Sequence, residues 1–283
     1  MKFKLVDCKV TGSIKNASKV DLDVNGFIEA VDEPPINTGW PNEPAGMTVI
    51  SDYALTDPIP QVDGPIGASG WNIVNAHPPG YIFPPNDPIG PPWAGTPAGW
   101  IEQIADEHSP CTPPSVYQLV YPPGMEMGIA PATIWIPMPG VNEAYWGWWW
   151  KCSKPFFYGS NGTKLLFLFT NANGQAFISM GVDRHLYMWP ELNPPVGNPP
   201  GAGKHGDTII EQDKWYQLEW YWNVKTGLSR LWLNGVLEVE ADYFTNPTPL
   251  VEAKLSSTYG GFGGPPMEGT NYYWYDHLRL CVK

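Results

Sequence analysis

The chain has 283 residues, of which 43% are hydrophobic and 14% aromatic, and its formal net charge is −12. This composition excludes a disordered chain, and the acidic balance argues against nucleic acid as a partner, because phosphate binding needs clustered Lys and Arg side chains. With 33 Pro and 30 Gly, long helices are not expected, since both residues disfavour helix interiors. No run of about 20 apolar residues is present, so membrane insertion is not expected either.

The N-terminal 44 residues are predicted to form a β-arm or hairpin followed by a linker. Residues 2–10 alternate between polar and apolar side chains, and residues 18–31 contain Asn25-Gly26, a dipeptide typical of hairpin turns. The next stretch is rich in Pro, Asn and Gly, which places a domain boundary near residue 44. The arm is a candidate for contacts with other protein subunits.

Residues 21–32 also match part of a calcium-binding loop, with oxygen ligands at the first, third and fifth positions and a carboxylate at the twelfth. Such a loop has a helix on each side, whereas the flanking residues here alternate like strands and Pro34 follows. An ordinary hairpin is therefore favoured, with calcium as the alternative. The calcium ligands would be Asp21, Asp23, Asn25 and Asp32.

Residues 45–283 are predicted to form one β domain with long Pro- and Gly-rich loops. The part before residue 115 is mostly irregular, and residues 100–107 are its one candidate for a short helix. Segments with strand-like composition, bounded by turn residues, follow. They include residues 115–121, 133–137, 145–152, 164–170, 175–181 and 271–282.

The segment 214–239 gives the strongest strand signal. Apolar side chains alternate with polar ones along its first part, which predicts a half-buried strand. A second strand ends at Asn234-Gly235, where both residues tolerate the positive φ of a type I′ turn, and a third strand follows. The alternating residues of the first strand are Tyr216, Leu218, Trp220, Trp222 and Val224.

The order of four segments carries a resemblance to a known family. WYQLEWYWN is followed by RLWLNGVLEVE, then by a Gly-rich stretch, and YYWYDHLRL ends the chain. This order resembles the concanavalin A-like lectin/glucanase jelly roll, which includes laminin-G-like domains and several polysaccharide lyases. Over about residues 45–283, the resemblance implies an all-β, two-sheet antiparallel sandwich. It does not fix an activity, because the superfamily contains enzymes, lectins and structural modules.

The catalytic patterns that this resemblance would imply are not found. Glycosidases of the fold carry Glu-x-Asp-x-Glu on one strand, but Glu219 stands alone, and Glu238 with Glu240 lacks a third carboxylate. The lyase patterns Arg-x-Glu-x-Arg and Gln-Ile-His do not occur. His277 beside Asp276 is the best candidate for a general base, although a hydrogen-bonded structural histidine is more common.

The chain has 15 Trp, more than the core of a sandwich normally uses. If one face of the YWGWWW strand were open, its indoles would offer flat apolar surfaces on which sugar rings could stack. Core packing between the sheets is the alternative. The candidate carbohydrate-binding residues are Trp146, Trp148, Trp150, Trp220 and Trp222.

The four cysteines, Cys8, Cys111, Cys152 and Cys281, have no metal-ligand spacing. Cys8 and Cys281 lie in strand-like segments at opposite ends of the chain, so a bridge between them is one prediction. Reduced, buried thiols are the alternative.

The favoured function is a non-enzymatic jelly-roll module that binds a glycan or polysaccharide or assembles with other subunits. The N-terminus lacks the apolar core of a secretory signal. A virion-associated decoration or adhesion protein would explain work at an extracellular surface without such a signal, and a cytoplasmic location is otherwise expected. A polysaccharide lyase or glycosidase with an atypical active site is the alternative.

Overall fold

The computed structural model divides the chain into two compact units, Met1–Thr38 and Gly39–Lys283. Residues 39–44, predicted to be part of the linker, thus belong to the second unit. The residues that the structure describes are 2–11, 23–31, 39–60, 64–74, 101–128, 130–159, 162–171, 174–191, 203–243, 248–260 and 265–283.

The first unit contains an antiparallel pair of strands, β1 (Lys2–Thr11) and β2 (Asp23–Val31). The predicted arm is therefore β-structured, but Asn25-Gly26 lies within β2 and does not form the turn. Val6 pairs with Phe27 and Lys9 pairs with Asn25, so β1 contains one extra residue at this point. A β-bulge in β1 therefore lies opposite Gly26, where a turn was expected.

The second unit is built from antiparallel strands, and its described residues contain no helix. The strands are β3 (Thr48–Tyr53), β4 (Gly64–Pro65), β5 (Asn72–Val74), β6 (Ile101–Ala105), β7 (Ser115–Tyr121), β8 (Thr133–Val141), β9 (Glu143–Cys152), β10 (Thr163–Thr170), β11 (Gln175–Met180), β12 (Leu186–Glu191), β13 (Lys204–His205), β14 (Tyr216–Asn223), β15 (Leu228–Leu233), β16 (Val236–Asp242), β17 (Leu250–Leu255) and β18 (Asn271–Val282).

These strands form two eight-stranded sheets, which confirms the predicted all-β sandwich. The first sheet has the order β13-β12-β11-β10-β17-β8-β5-β4. The second has the order β16-β15-β14-β9-β18-β7-β6, and β3 also pairs with β18. In the described part of the chain, no helix is long and apolar enough to cross a membrane.

The core lies between the sheets and follows from the two-residue period of each strand. On the first sheet, Leu166, Leu168 and Ile178 point into one buried cluster. That cluster also contains the tryptophans of β9 and β14 from the second sheet. Asn234 and Gly235, with φ of 51° and 81°, form the turn between β15 and β16, so the predicted I′-type hairpin is confirmed.

The predicted short helix at residues 100–107 is wrong, because Ile101–Ala105 forms β6 and pairs along its full length with β7. A segment this short does not hold a helix on its own, whereas sheet pairing satisfies its backbone groups.

Candidate functional site

The tryptophans predicted to bind sugars lie in the core. Trp146 packs against Trp71 with ring centroids 5.7 Å apart, and Trp220 Nε1 donates to Ser229 Oγ at 3.0 Å. A fully buried indole has no face available to a sugar, so the predicted platform is corrected to core packing. The residues, each at most 1% exposed, are Trp146, Trp148, Trp150, Trp220 and Trp222.

The outer face of the second sheet is covered over β9 and β14 by residues 39–47, which we call the covering segment. Gln217 Nε2 donates to Gly39 O at 2.9 Å, and Trp40 lies directly on Gly147. A Cβ atom at Gly147 would be 2.4 Å from Cε3 of the Trp40 ring, so only glycine fits beneath the indole. The strand β14, predicted to be half-buried, is thereby buried on both faces.

Glu219 lies beneath the covering segment and is fully buried. Its Oε2 accepts from Asn42 N at 2.9 Å and from Tyr145 OH at 2.6 Å, and its Oε1 accepts from Asn42 Nδ2 at 2.9 Å. Burial and the neighbouring Glu219 carboxylate raise the pKa of Tyr145 well above its usual value, so the phenol remains a donor. These contacts satisfy a buried carboxylate, as a structural role requires.

An ion-pair cluster holds the other edge of the covering segment. Arg279 binds Glu43 through Nε at 2.8 Å and Nη2 at 3.0 Å, and its Nη1 contacts Asp52 at 2.9 Å. His277 Nε2 lies 2.5 Å from Asp52 Oδ1, and its ring meets Trp40 edge-on with centroids 5.6 Å apart. His277 thus shares its polar partner, Asp52, with Arg279.

A bulge in β18 explains the position of this histidine. Asp276 pairs with Trp149 and Leu278 pairs with Trp148, so His277 is an extra residue, and its φ is 54°. The preceding Asp276 is fully buried and accepts from Cys111 N at 2.7 Å. Burial raises the pKa of this carboxyl above its usual value against the opposing effect of its hydrogen bonds.

Further along the same face, Lys151 is enclosed by aromatic rings and a carboxylate. Its Nζ lies 5.0 Å from the ring centroid of Trp215, 4.7 Å from that of Trp274 and 2.7 Å from Asp106 Oδ2. Although burial opposes the shift, the hydrogen bond from Lys151 lowers the pKa of Asp106. This part of the face is therefore held together by charge and cation–π contacts.

The outer face of the first sheet carries a row of aromatic side chains in cross-strand register. Phe177 pairs with both Phe167 and Trp189, Lys254 pairs with both Phe167 and Trp135, and the five residues span β12, β11, β10, β17 and β8. We call Trp135, Lys254, Phe167, Phe177 and Trp189 the aromatic row. Phe167 and Phe177 are buried, yet they lie outside the interior cluster, whereas Trp135 and Trp189 are half-buried.

The ring of Trp189 is nearly parallel to those of its neighbours Phe177 and Tyr187, whereas the planes of Phe167 and Phe177 are 49° apart. The planes of Phe177 and Trp189 are 19° apart at a centroid distance of 6.3 Å, and those of Tyr187 and Trp189 are 23° apart at 6.2 Å. Two cations lie on the rings, with Lys164 Nζ 4.2 Å from the centroid of Phe177 and Lys254 Nζ 4.5 Å from that of Phe169. Both cations thus lie over phenyl faces, and the half-buried indoles of Trp135 and Trp189 provide the apolar surface that remains.

The remaining predicted residues do not join this surface. Glu238 accepts from Thr208 Oγ1 at 2.5 Å and Glu240 forms an exposed ion pair with Arg230 at 2.6 Å, so the two carboxylates have separate partners. Cys281 is a free, buried thiol, which is the alternative to the predicted Cys8–Cys281 bridge. Burial raises its pKa to about 12, as it does for Cys111 and Cys152.

The calcium site at residues 21–32 stays a prediction. Asp23 and Asn25 lie in β2, while Asp21 and Asp32 lie outside the described residues. Within the described part of the chain, no group of three or more His, Cys, Asp or Glu side chains is arranged to hold a metal ion.

Sequence reasoning missed the aromatic row, although one signal for it is present. In KLLFLFT, Phe167 and Phe169 alternate with core leucines, so both faces of β10 are apolar. An apolar outer face indicates a surface that is covered or that meets a partner. The other members could not be placed beside Phe167, because their order across the sheet depends on long-range pairing.

Comparisons with known proteins give distant structural resemblances only. No family model matches the chain, and no curated protein matches it. A structure of the alginate lyase Aly36B has 16% identity, with 58% of this chain and 80% of that chain covered, at a TM-score of 0.45. A second structure is Domain 4 of AbnA, a GH43 extracellular arabinanase from Geobacillus stearothermophilus, in complex with arabinotriose. It has 14% identity to this chain and a TM-score of 0.44, with 83% of this chain and 93% of that chain covered.

The cellulose-induced protein Cip1 is similarly distant, with 12% identity, coverage of 64% of this chain and 84% of that chain, and a TM-score of 0.43. At these values the resemblances carry no argument about function. The function of this chain must therefore be inferred from its own residues.

Proposed function

We propose that this chain is a non-enzymatic, glycan-binding jelly-roll module, and that its ligand lies along the aromatic row of the first sheet. The observation that carries the proposal is the cross-strand register of Trp135, Phe167, Phe177 and Trp189 on a face that points away from the interior cluster. Sugar rings present C–H groups that pack on aromatic faces, whose electron-rich surfaces complement them.

The length of the row suits an extended ligand. Trp135 on β8 and Trp189 on β12 are separated by four strand spacings of about 4.8 Å, or roughly 19 Å. A polysaccharide chain that spans this distance contacts the half-buried indoles at the two ends of the row, whereas Phe167 and Phe177 between them are buried. The ligand would run across the strands and meet a half-buried indole at each end of the row.

The charges beside the row favour a neutral or weakly acidic glycan. Lys254 is paired with Glu252 at 2.6 Å, and Lys164 lies over Phe177. The Lys254–Glu252 pair has no net charge, and Lys164 adds one positive charge beside the row, so a few carboxylates on a ligand are tolerated at this point. A densely charged polyanion is opposed by the net charge of −12.

The enzymatic alternative rests on Glu219 and His277, and the contacts of both residues favour a structural role. Glu219 is fully buried with its oxygens bonded to Asn42 and Tyr145, and His277 is held between Asp52 and Trp40. A general base must reach its substrate. The covering segment occupies that space over Glu219, and the contact with Asp52 engages Nε2 of the partly exposed His277. Release of unsaturated uronides or reducing ends from a polysaccharide panel, lost in His277→Ala or Glu219→Gln, would support the enzyme instead.

Binding to a glycan microarray, followed by affinity electrophoresis in gels that contain the polysaccharides that bind, tests the proposal. Trp189→Ala and Trp135→Ala should each weaken retention about tenfold, which corresponds to about 1.4 kcal/mol. Trp274→Ala is the matched control, because Trp274 is also half-buried but lies on the second sheet. Normal retention by the row variants together with loss in the control would overturn the proposal.

Assembly with other protein subunits through the N-terminal arm, and location on a virion, are further proposals from the sequence. Sedimentation of the full chain between about 1 and 100 μM tests the first of these. A monomer throughout this range, together with the absence of the protein from purified particles, would contradict both.

A further inference from the structure

A cavity of about 210 Å³ lies where the aromatic row meets the turn between β11 and β12. It shares Trp189 with the row, so a ligand that follows the row reaches the cavity at that end. The cavity is lined by Gly162, Ser179, Gly181, Val182, Asp183, Tyr187 and Trp189.

The size of this cavity limits its occupant. Pockets for larger organic ligands have about 300–1,000 Å³. A single sugar ring with its hydroxyl groups suits the smaller volume, whereas a second ring does not.

Two of the lining glycines have no room for a side chain. A Cβ atom at Gly181 would lie 2.5 Å from Asp183 Oδ1 and 2.6 Å from Tyr187 Cε2. At Gly162, whose φ is +75°, a Cβ atom would lie 2.3 Å from Met180 O. The close approach of Asp183 and Tyr187 to the backbone of β11 thus depends on the missing side chain of Gly181.

Asp183 is the only charged side chain among the lining residues that the structure describes. Its Oδ2 accepts from Tyr187 OH at 2.5 Å, and its Oδ1 accepts from His185 N at 3.2 Å. Since a carboxylate has about four acceptor positions, it keeps capacity for two further donors. The hydrogen bond from Tyr187 lowers the pKa of Asp183 although burial opposes the shift, so the group is ionised at neutral pH.

We infer that this cavity binds the terminal ring of the glycan, and that this ring is an uncharged sugar whose neighbouring hydroxyl groups donate to Asp183 while one ring face packs on Trp189. The inference rests on the proposed function and adds the class of the terminal residue. A uronic acid would place a second carboxylate beside Asp183, and like charges at this distance repel. A site of this volume suits the ring at the end of the chain.

Saturation-transfer NMR tests the inference with defined probes. The neutral probes are the methyl glycosides of glucose, galactose, mannose and N-acetylglucosamine, and the acidic probes are glucuronic and galacturonic acid. At least one neutral probe should receive saturation from the wild-type protein, and the acidic probes should receive much less. Asp183→Asn should reduce the transfer at least fivefold, because the amide accepts fewer hydroxyl groups and its NH₂ competes as a donor.

Two further variants separate the cavity from the row. Gly181→Ala should also reduce transfer to the neutral probe, since the added methyl group displaces Asp183 and Tyr187. Trp135→Ala, at the far end of the row, should weaken retention of a polysaccharide more than it reduces transfer to the monosaccharide.

Equal transfer to acidic and neutral probes, or undiminished transfer in Asp183→Asn, would overturn the inference. A protein that retains a polysaccharide through Trp135 and Trp189 but binds none of the neutral monosaccharides would also overturn it, and the proposed function would stand. Failure to retain any polysaccharide, by contrast, would count against the proposed function itself.

Discussion

The side chains on the outer faces of the two sheets have different kinds of partner. On the second sheet, polar groups such as Glu219 and Arg279 are paired with residues of the covering segment. On the first sheet, Phe167, Phe177 and Trp189 line up across strands, and the ammonium group of Lys164 lies over the Phe177 ring. The first pattern stabilises the protein's own chain, and the second leaves flat apolar surface at the ends of the row.

The difference shows why the large number of tryptophans does not identify a single binding site. Trp146 and Trp148 fill the core, Trp40 closes one outer face, and Trp135 with Trp189 ends the row on the other. A buried carboxylate with every oxygen bonded is a structural element, whereas half-buried rings in register are suited to a ligand. Mutations on the two faces should therefore affect different measurements.

The largest expected effect is on stability, from Glu219→Ala. The substitution leaves the donors of Asn42 and Tyr145 without their acceptor beneath the covering segment, at a cost of about 3 kcal/mol in the free energy of unfolding. Urea denaturation measures the loss, and Glu219→Gln, which keeps one acceptor oxygen, should lose less than half as much. Glycan retention should persist at 25 °C. Loss of glycan retention with normal stability would indicate that the binding site lies on the second sheet.

A second prediction concerns the contact between Trp40 and Gly147. Because a Cβ atom would lie 2.4 Å from the indole, Gly147→Ala should displace the ring and cost about 2 kcal/mol. In the Trp40→Ala background the same substitution should cost close to nothing, since the obstructing ring is gone. A double-mutant cycle by urea denaturation measures the coupling. Additive losses would show that Trp40 does not rest on this glycine in solution.

The sequence predicts the sheets far better than it predicts their outer faces. The strands at residues 115–121 and 271–282 and the Asn234-Gly235 turn follow from local alternation and turn chemistry, and the structure has them at those positions. These features depend on neighbours in the chain, so periodicity is sufficient to find them.

The candidate site depends on pairing between distant segments, and for this reason the sequence did not reveal it. Trp135 reaches the row through Lys254, which lies in β17, a strand that was not predicted. Likewise, the two-residue period of β14 predicts two faces but not that Asn42, 177 positions away, covers one of them. Local pattern assigns a side chain to a face, whereas only the assembled sheets determine what that face meets.

A third prediction uses pH to test the ion pair between Asp106 and Lys151 on the outer face of the second sheet. The lowered pKa of Asp106 means that its ion pair with Lys151 contributes stability above the unfolded value of 3.8 and loses it as pH falls through the lower folded value. Asp106→Asn should cost about 1 kcal/mol at pH 7. The variant and the wild type should converge below pH 3.8, as measured by thermal unfolding across pH. A constant difference at all pH values would assign the effect to packing.

The smallest effect is expected from Lys254→Met on the first sheet. The methionine keeps the apolar stem over Phe169 and removes one charge from a half-exposed pair with Glu252, so the free energy of unfolding should change by less than about 0.5 kcal/mol. Retention of a uronate-containing polysaccharide should fall roughly twofold, or about 0.4 kcal/mol, while retention of a neutral one is unchanged. Affinity electrophoresis in matched gels measures both. An equal loss for neutral and acidic chains would mean that Lys254 acts through ring packing, and the row would then discriminate ligands by shape without a contribution from charge.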